Sequence, residues 1–169
     1  MGDPLQTLRD ARSLAEKAEA TRTVAEKAAS LRNEIARALT SRDDSFRIDV
    51  LNAVGASRDP ALADLVETLV DSRPKPRVLR IAAIALGNLG GTRAFDRLAA
   101  LLRHRNPTAR SGAVRGLAIL GDPRAINLLR GVLDDDEHPE PIGAGAIEGV
   151  VTVGSEAARA IRELARSVP

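Results

Sequence analysis

Apolar residues recur along most of the chain with the spacing of amphipathic α-helices. The clearest unit is residues 108–139, TARSGAVRGLAILGDPRAINLLRGVLDDDEHP. It predicts a helix, a tight turn at Gly121-Asp122 and a second helix, and each helix has one apolar face. A hairpin this short cannot bury both faces within itself, so the unit requires a neighbour on each side.

The sequence supplies these neighbours by repetition. Gly55, Gly90, Gly121 and Gly154 follow apolar segments at spacings of 35, 31 and 33 residues. We expect each to end a helix, because glycine adopts the left-handed conformation without a steric penalty. Aliphatic residues fill the matched positions of the first helices, namely Val54, Leu89, Leu120 and Val153, and three residues earlier Leu51, Leu86, Leu117 and Val150.

The second helices align in the same way. Their matched rows are Leu62, Phe95, Ile126 and Ile161; Leu65, Leu98, Leu129 and Leu164; and Leu69, Leu102, Leu133 and Val168. These rows predict an all-α fold, an α-solenoid of about four to five helical hairpins with a long N-terminal helix or helix pair. We expect a single domain over residues 1–169, with an N-terminal part and four repeats at 1–43, 44–75, 76–107, 108–139 and 140–169.

The N-terminal block allows more than one interpretation. Residues 4–40 favour helix throughout, but their apolar stripe changes face. Two helices meeting near residues 21–23 would explain the change, and so would one long helix. We favour a degenerate first repeat. The alternative is a coiled-coil arm, through which the chain would self-associate.

The last repeat is the least regular. Gly143, Gly145 and Gly149 weaken its first helix by about 1 kcal/mol each relative to alanine. Ile161, Leu164 and Val168 would form an apolar outer face without the polar cap that terminal repeats require. Self-association, or continuation into a longer solenoid, would account for this face.

Composition narrows the function classes. Aromatic residues make up 1% of the chain, and the formal net charge is +2. Because acids interrupt the basic residues and stacking aromatics are scarce, the sequence argues against a nucleic-acid-binding surface. There is no cysteine and no apolar run of membrane-spanning length, so we expect no disulfide, no membrane span and a cytoplasmic location.

No catalytic constellation is visible, so we expect a protein that is not an enzyme. The chain has two histidines, His104 and His138, one repeat apart. The acidic run 134–137 lacks the glycine of a calcium loop, and the segment 87–91 lacks the Lys-Ser/Thr of a phosphate loop. We therefore predict no catalytic residue, no cofactor and no metal.

The candidate site is a set of arginines in the second helices. The motif Arg-Ala-Phe/Ile occurs at Arg93, Arg124 and Arg159, and we expect these three residues, the arginine row, to lie along one edge of the solenoid. Three further arginines would extend this surface, namely Arg97, Arg130 and Arg162. A cation near a helix N-terminus is slightly disfavoured, so its recurrence suggests a use. The residues would bind the acidic groups of a partner, bind phosphate, or pair with local carboxylates such as Asp96, Asp122 and Glu156.

The segments NPTARSGAVRGLAILG and GDPRAINLLRGVLDDDEHP resemble a HEAT repeat of the short bacterial type found in phycobilisome lyases. Arg110, Ala113, Leu120-Gly121 and Asp134 stand at the positions of that pattern, and the resemblance covers residues 44–169. It implies an α-solenoid that presents a surface to a protein partner and has no activity of its own.

We therefore expect a non-catalytic scaffold or adaptor. The same resemblance leaves two alternatives, because some members attach bilins and related HEAT-like proteins excise alkylated bases from DNA.

Overall fold

A computed structural model describes residues 2–141 and 151–167, without the side chain of residue 167. Within those ranges the chain forms ten α-helices and no β-strand, which confirms the predicted all-α solenoid. No helix in these two ranges is long and apolar enough to cross a lipid bilayer. The helices are α1 (Pro4–Asp10), α2 (Leu14–Glu26), α3 (Arg32–Leu39), α4 (Asp44–Ser57), α5 (Ala63–Asp71), α6 (Pro76–Leu89), α7 (Ala94–Leu101), α8 (Pro107–Leu120), α9 (Ala125–Arg130) and α10 (Val153–Ser167).

Three hairpins, α4/α5, α6/α7 and α8/α9, stack side by side. Their first helices have 14 residues each and form the first-helix layer, in which α6 packs against both α4 and α8. The second-helix layer consists of α5, α7 and α9, which have nine, eight and six residues. Each of these shorter helices packs against the first helix that follows it in the chain.

The starts of the first helices are encoded locally. The Asp43 side chain accepts the backbone N–H of Phe46, and the Asn106 side chain accepts that of Thr108. Pro76 and Pro107 occupy the first turns of α6 and α8, where their missing N–H has no intrahelical partner to lose.

Small residues let α6 and α8 approach closely. A methyl group added at Gly112 would lie 2.6 Å from the Cα of Arg80, and one at Gly116 would lie 2.5 Å from the carbonyl oxygen of Ala83. Gly87 faces the backbone of Gly116 in the same contact. The two helices therefore touch backbone to backbone, which side chains at these positions would prevent.

Two of the four expected helix-ending glycines take that role. Gly90 and Gly121 follow α6 and α8 with φ of 69° and 74°. Gly55 instead lies inside α4, and the residue that follows this helix in the left-handed conformation is Arg58, with φ 52°. Gly154 lies in the first turn of α10, where its N–H donates to the Asp135 carbonyl over 2.8 Å. The expectation was wrong at these two positions, because an arginine ends α4 and Gly154 is placed for its close approach to the backbone after α9.

The apolar rows form the core, with one shift in register. Leu51, Leu86 and Leu117 are fully buried in the first-helix layer. In the second-helix layer Leu98 and Leu129 are fully buried, but the residue of α5 that is fully buried is Val66, while the expected Leu65 is only partly buried. The alignment of α5 was therefore off by one residue, since the 3-10 turn at Pro60–Leu62 alters the phase with which α5 enters the layer.

The N-terminal block contains three helices where the pattern suggested one or two. α2 runs straight through residues 21–23, and the chain instead breaks before Ser13 and after Glu26. Ser13 starts α2 by a capping box, in which its side chain accepts the Glu16 N–H and the Glu16 carboxylate accepts the Ser13 N–H.

This block packs onto the array. Leu5 and Leu8 are buried where α1 contacts α2 and α4, so α1 is not a free coiled-coil arm. α2 and α3 both pack against α4, as α4 and α5 both pack against α6. That placement favours a degenerate first repeat.

The last described helix lies in the first-helix layer. α10 packs against α8 and α9, as α8 packs against α6 and α7, although the sequence pattern predicted a second helix here. Leu164 is buried and Ile161 is partly buried against the core, so the apolar face expected to be open is covered in part by the fold. Gly143, Gly145, Gly149 and Val168 lie outside the described residues.

Candidate protein-interaction surface

Two of the predicted arginines lie on or next to α7. Arg93 is the residue immediately before the helix, and its guanidinium lies 3.4 Å from the Glu67 carboxylate of α5 while 62% of the side chain stays exposed. Arg97 lies one turn later and makes a bidentate ion pair with Asp71, at 2.5 and 2.8 Å. Both side chains therefore connect α7 to the preceding second helix.

Two more lie on or next to α9. Arg124 precedes the helix and binds the Asp122 carboxylate through two nitrogens, at 2.6 and 2.9 Å. This hydrogen bonding lowers the pKa of Asp122. The same guanidinium stacks over the ring of Phe95, 4.3 Å from its centroid, yet 71% of the Arg124 side chain is exposed. Arg130 ends α9, is exposed, and donates to the Asn127 side chain over 3.2 Å.

The remaining pair lies on α10 and departs from the prediction. Arg159 is in the middle of the helix, 3.8 Å from Glu163, and not at the start of a second helix. Since α10 occupies the first-helix layer, Arg159 instead lines a groove of about 230 Å³ between α8 and α10. Arg162 is exposed on the same helix.

The structure thus divides the predicted set in two. Arg93, Arg97, Arg124 and Arg130 share the second-helix layer, whereas Arg159 and Arg162 belong to the first-helix layer. An uninterrupted row of Arg93, Arg124 and Arg159 does not form, because α10 lies in the first-helix layer. The prediction was wrong because the sequence pattern of a helix does not reveal the layer to which it belongs. Glu156, which we considered as a partner for these arginines, lies in a buried cluster.

That cluster joins α6, α8 and α10. The Glu156 carboxylate accepts hydrogen bonds from Ser111 and from Arg115, the latter at 3.0 Å, and lies 3.7 Å from the guanidinium of Arg80. Arg80 and Glu156 are nearly inaccessible to solvent. Burial lowers the pKa of Arg80, which the Glu156 charge opposes. One buried carboxylate thus serves two arginines and links three first-layer helices.

A second ion pair fixes the chain after α9. Arg110 makes a bidentate contact with Asp135, at 2.6 and 3.0 Å, and lies 3.4 Å from Glu137. The hydrogen bonds to Asp135 raise the pKa of Arg110. Two residues of the acidic run therefore act as partners of the arginine at the HEAT-pattern position.

The buried cluster was not predicted. The resemblance drew attention to Arg110, but it gave no indication of the partner Asp135 or of the contact between Arg80 and Glu156, since these partners follow much later in the chain. Charged residues on an amphipathic helix are normally placed on its solvent face, so Glu156 gave no local signal of burial.

Comparison with known families agrees with this geometry. Residues 65–148 match the family model of HEAT repeats. No protein in the curated collection matches the chain. The matched range includes the two hairpins α6/α7 and α8/α9, whose helices pack in two layers. HEAT repeats generally mediate protein–protein interaction. Residues 65–148 therefore form HEAT-like repeats.

Proposed function

We propose that the chain is a non-catalytic scaffold that binds a protein partner through the arginines of its second-helix layer. The observation that supports this most strongly concerns Arg93 and Arg124. Each stands immediately before a second helix, and each remains mostly exposed although the fold already supplies a carboxylate. Residues that accept hydrogen bonds are preferred at this position, and a cation there is mildly unfavourable.

Arginine suits this role better than the other side chains available. It presents five donors in a planar fork that fits carboxylates, and it is enriched at interface hot spots. Aromatic anchors are nearly absent from the chain, because aromatic residues make up 1% of it and all of them are phenylalanine. A partner would therefore be held by guanidinium groups and by the aliphatic surface between them.

The test compares two triple variants as baits. Wild-type protein and the variant R93Q/R124Q/R130Q would be immobilised and exposed to a lysate of the cells that produce the protein. The matched control, R12Q/R42Q/R58Q, removes three exposed arginines from elsewhere on the chain. We expect at least one protein that wild type and control retain and that the second-helix variant loses.

Equal capture by all three baits would contradict the proposal, provided circular dichroism shows equal helix content. Bilin attachment and nucleic-acid binding stay predictions of the resemblance alone. A salt titration of binding to duplex and single-stranded DNA distinguishes nucleic-acid binding from protein binding, because the affinity of phosphate contacts falls steeply with ionic strength.

A further inference from the structure

We infer that the loops before α6 and α8 form a groove that binds an acidic peptide segment of a protein. The groove has a volume of about 880 Å³ and lies between residues 70–76 and 100–106. It shares only Arg97 with the second-helix arginines. This surface is thus additional to the one in the proposed function.

The groove is strongly basic. Four arginines line it, together with His104, and its single carboxylate is Asp71. Asp71 is already held by Arg97. Arg73, Arg103 and Arg105 are exposed, and their guanidinium groups have no hydrogen bond or ion pair within residues 2–141 and 151–167. Three positive charges therefore face solvent around one depression.

The loop that bears Arg105 is held in place by hydrogen bonds from Arg110. The Arg110 guanidinium donates to the carbonyl oxygens of His104 and Arg105, at 2.8 and 3.1 Å. The backbone N–H of Asn106 donates to Nδ1 of His104 over 3.1 Å, so a neutral His104 has its proton on Nε2, free to donate. Donors held in place before binding lose less entropy when a ligand arrives.

In the opposite loop, before α6, Arg73 has a strained backbone conformation. Arg73 has φ 53°, a region that costs a non-glycine residue on the order of 1 kcal/mol and that glycine adopts freely. A residue chosen for backbone geometry alone would be glycine. The arginine here instead adds a positive charge opposite Arg103 and Arg105, although Arg58 adopts the same conformation outside the groove.

The chemistry of the walls favours a peptide over a nucleic acid. Val70, Leu79 and Leu101 contribute apolar surface, and no aromatic residue lines the groove on which a base could stack. Carboxylates neutralise the neighbouring cations, because Asp44 at the start of α4 pairs with Lys75 and Asp135 after α9 pairs with Arg110. The positive stretch is thus short, and it suits a segment in which glutamate or aspartate alternates with aliphatic residues.

The test uses a short fluorescein-labelled peptide in which glutamate alternates with leucine and serine, and a second peptide with glutamine in place of glutamate. Fluorescence anisotropy would measure the affinity of both for the full chain. We expect the glutamate peptide to bind more tightly, and the variant R73G/R103Q/R105Q to weaken that binding by about tenfold or more. The control variant R12Q/R42Q/R58G makes the same change in charge and also places glycine at a left-handed arginine, Arg58. We expect its affinity to match that of wild type.

Equal affinity for the two peptides, or an equal loss in the control variant, would overturn the inference. Tighter binding of a single-stranded oligonucleotide, lost in the same groove variant, would overturn it in favour of nucleic acid. If R73G/R103Q/R105Q loses helix content, R103Q/R105Q leaves the Arg73 backbone untouched and tests two of the three charges. The variant R93Q/R124Q/R130Q should keep its peptide affinity, so the groove and the second-helix surface can fail separately.

Discussion

In the hairpins α6/α7 and α8/α9 the two layers differ in length, burial and use of charge, whereas α4 and α5 bury six and five residues. Nine residues are buried in α6 and nine in α8, compared with three in α7 and two in α9. Charges in the first-helix layer are enclosed and shared, as at Glu156, whereas those of the second-helix layer are paired at the surface, as at Arg124. We infer that the first layer provides most of the stability and that the second is freer to vary in sequence for binding.

The largest difference between the layers should appear when a buried charge is removed. We expect Glu156→Gln to lower the free energy of unfolding by about 3 kcal/mol, because Arg80 would remain buried without a counter-ion. Urea denaturation followed by circular dichroism would measure this.

Glu163→Gln is the matched control on the same helix, since Glu163 pairs with Arg159 at an exposed site. Its effect should stay below about 1 kcal/mol. Equal effects of the two substitutions would show that the cluster around Glu156 is not a structural link.

A smaller loss is expected where α6 meets α8. The methyl group of Gly116→Ala would press on the Ala83 carbonyl oxygen at 2.5 Å and on the Leu98 side chain, so the two helices must separate. We expect a loss of about 2 kcal/mol in urea denaturation, typical of overpacking.

Gly55→Ala provides the comparison between α4 and α6. Its methyl group would meet Ala85 at 3.2 Å, a contact that a small shift can relieve, and alanine favours the helix by up to about 1 kcal/mol. Its net effect should therefore be close to zero. A loss as large as that of Gly116→Ala would mean that all first helices are equally tightly packed.

The smallest change in stability should come from the second-helix layer. The variant R93Q/R124Q/R130Q removes contacts at exposed positions, so its urea midpoint should lie close to that of wild type. A loss comparable to that of Glu156→Gln would show that these arginines hold the array together and were not retained for a partner.

Local signals in the sequence were enough to predict much of this fold. Gly90 and Gly121 end helices as expected, because a glycine in the left-handed conformation is a property of a few neighbouring residues. Gly55 did not, since Arg58 accepts that conformation three residues later, against its own preference. The three helices of residues 4–39 were missed for a related reason, as the Ser13–Glu16 capping box was not recognised.

The arrangement of charges could not be predicted in the same way. An amphipathic helix has the same pattern in either layer, so nothing local distinguished α10 from a second helix or removed Arg159 from the predicted row. Arg80 and Glu156 meet only because α6, α8 and α10 stack, and the basic groove likewise depends on two loops that are distant in the chain. Such contacts follow from the order of the helices in space.

Native-state amide hydrogen exchange tests the division between the layers most directly. It measures the opening free energy of each helix without any substitution. We expect the slowest exchange in α6 and α8, and clearly faster exchange in α7 and α9. Equal protection of the two layers, or slowest exchange in α7 and α9, would contradict the assignment of stability to the first-helix layer.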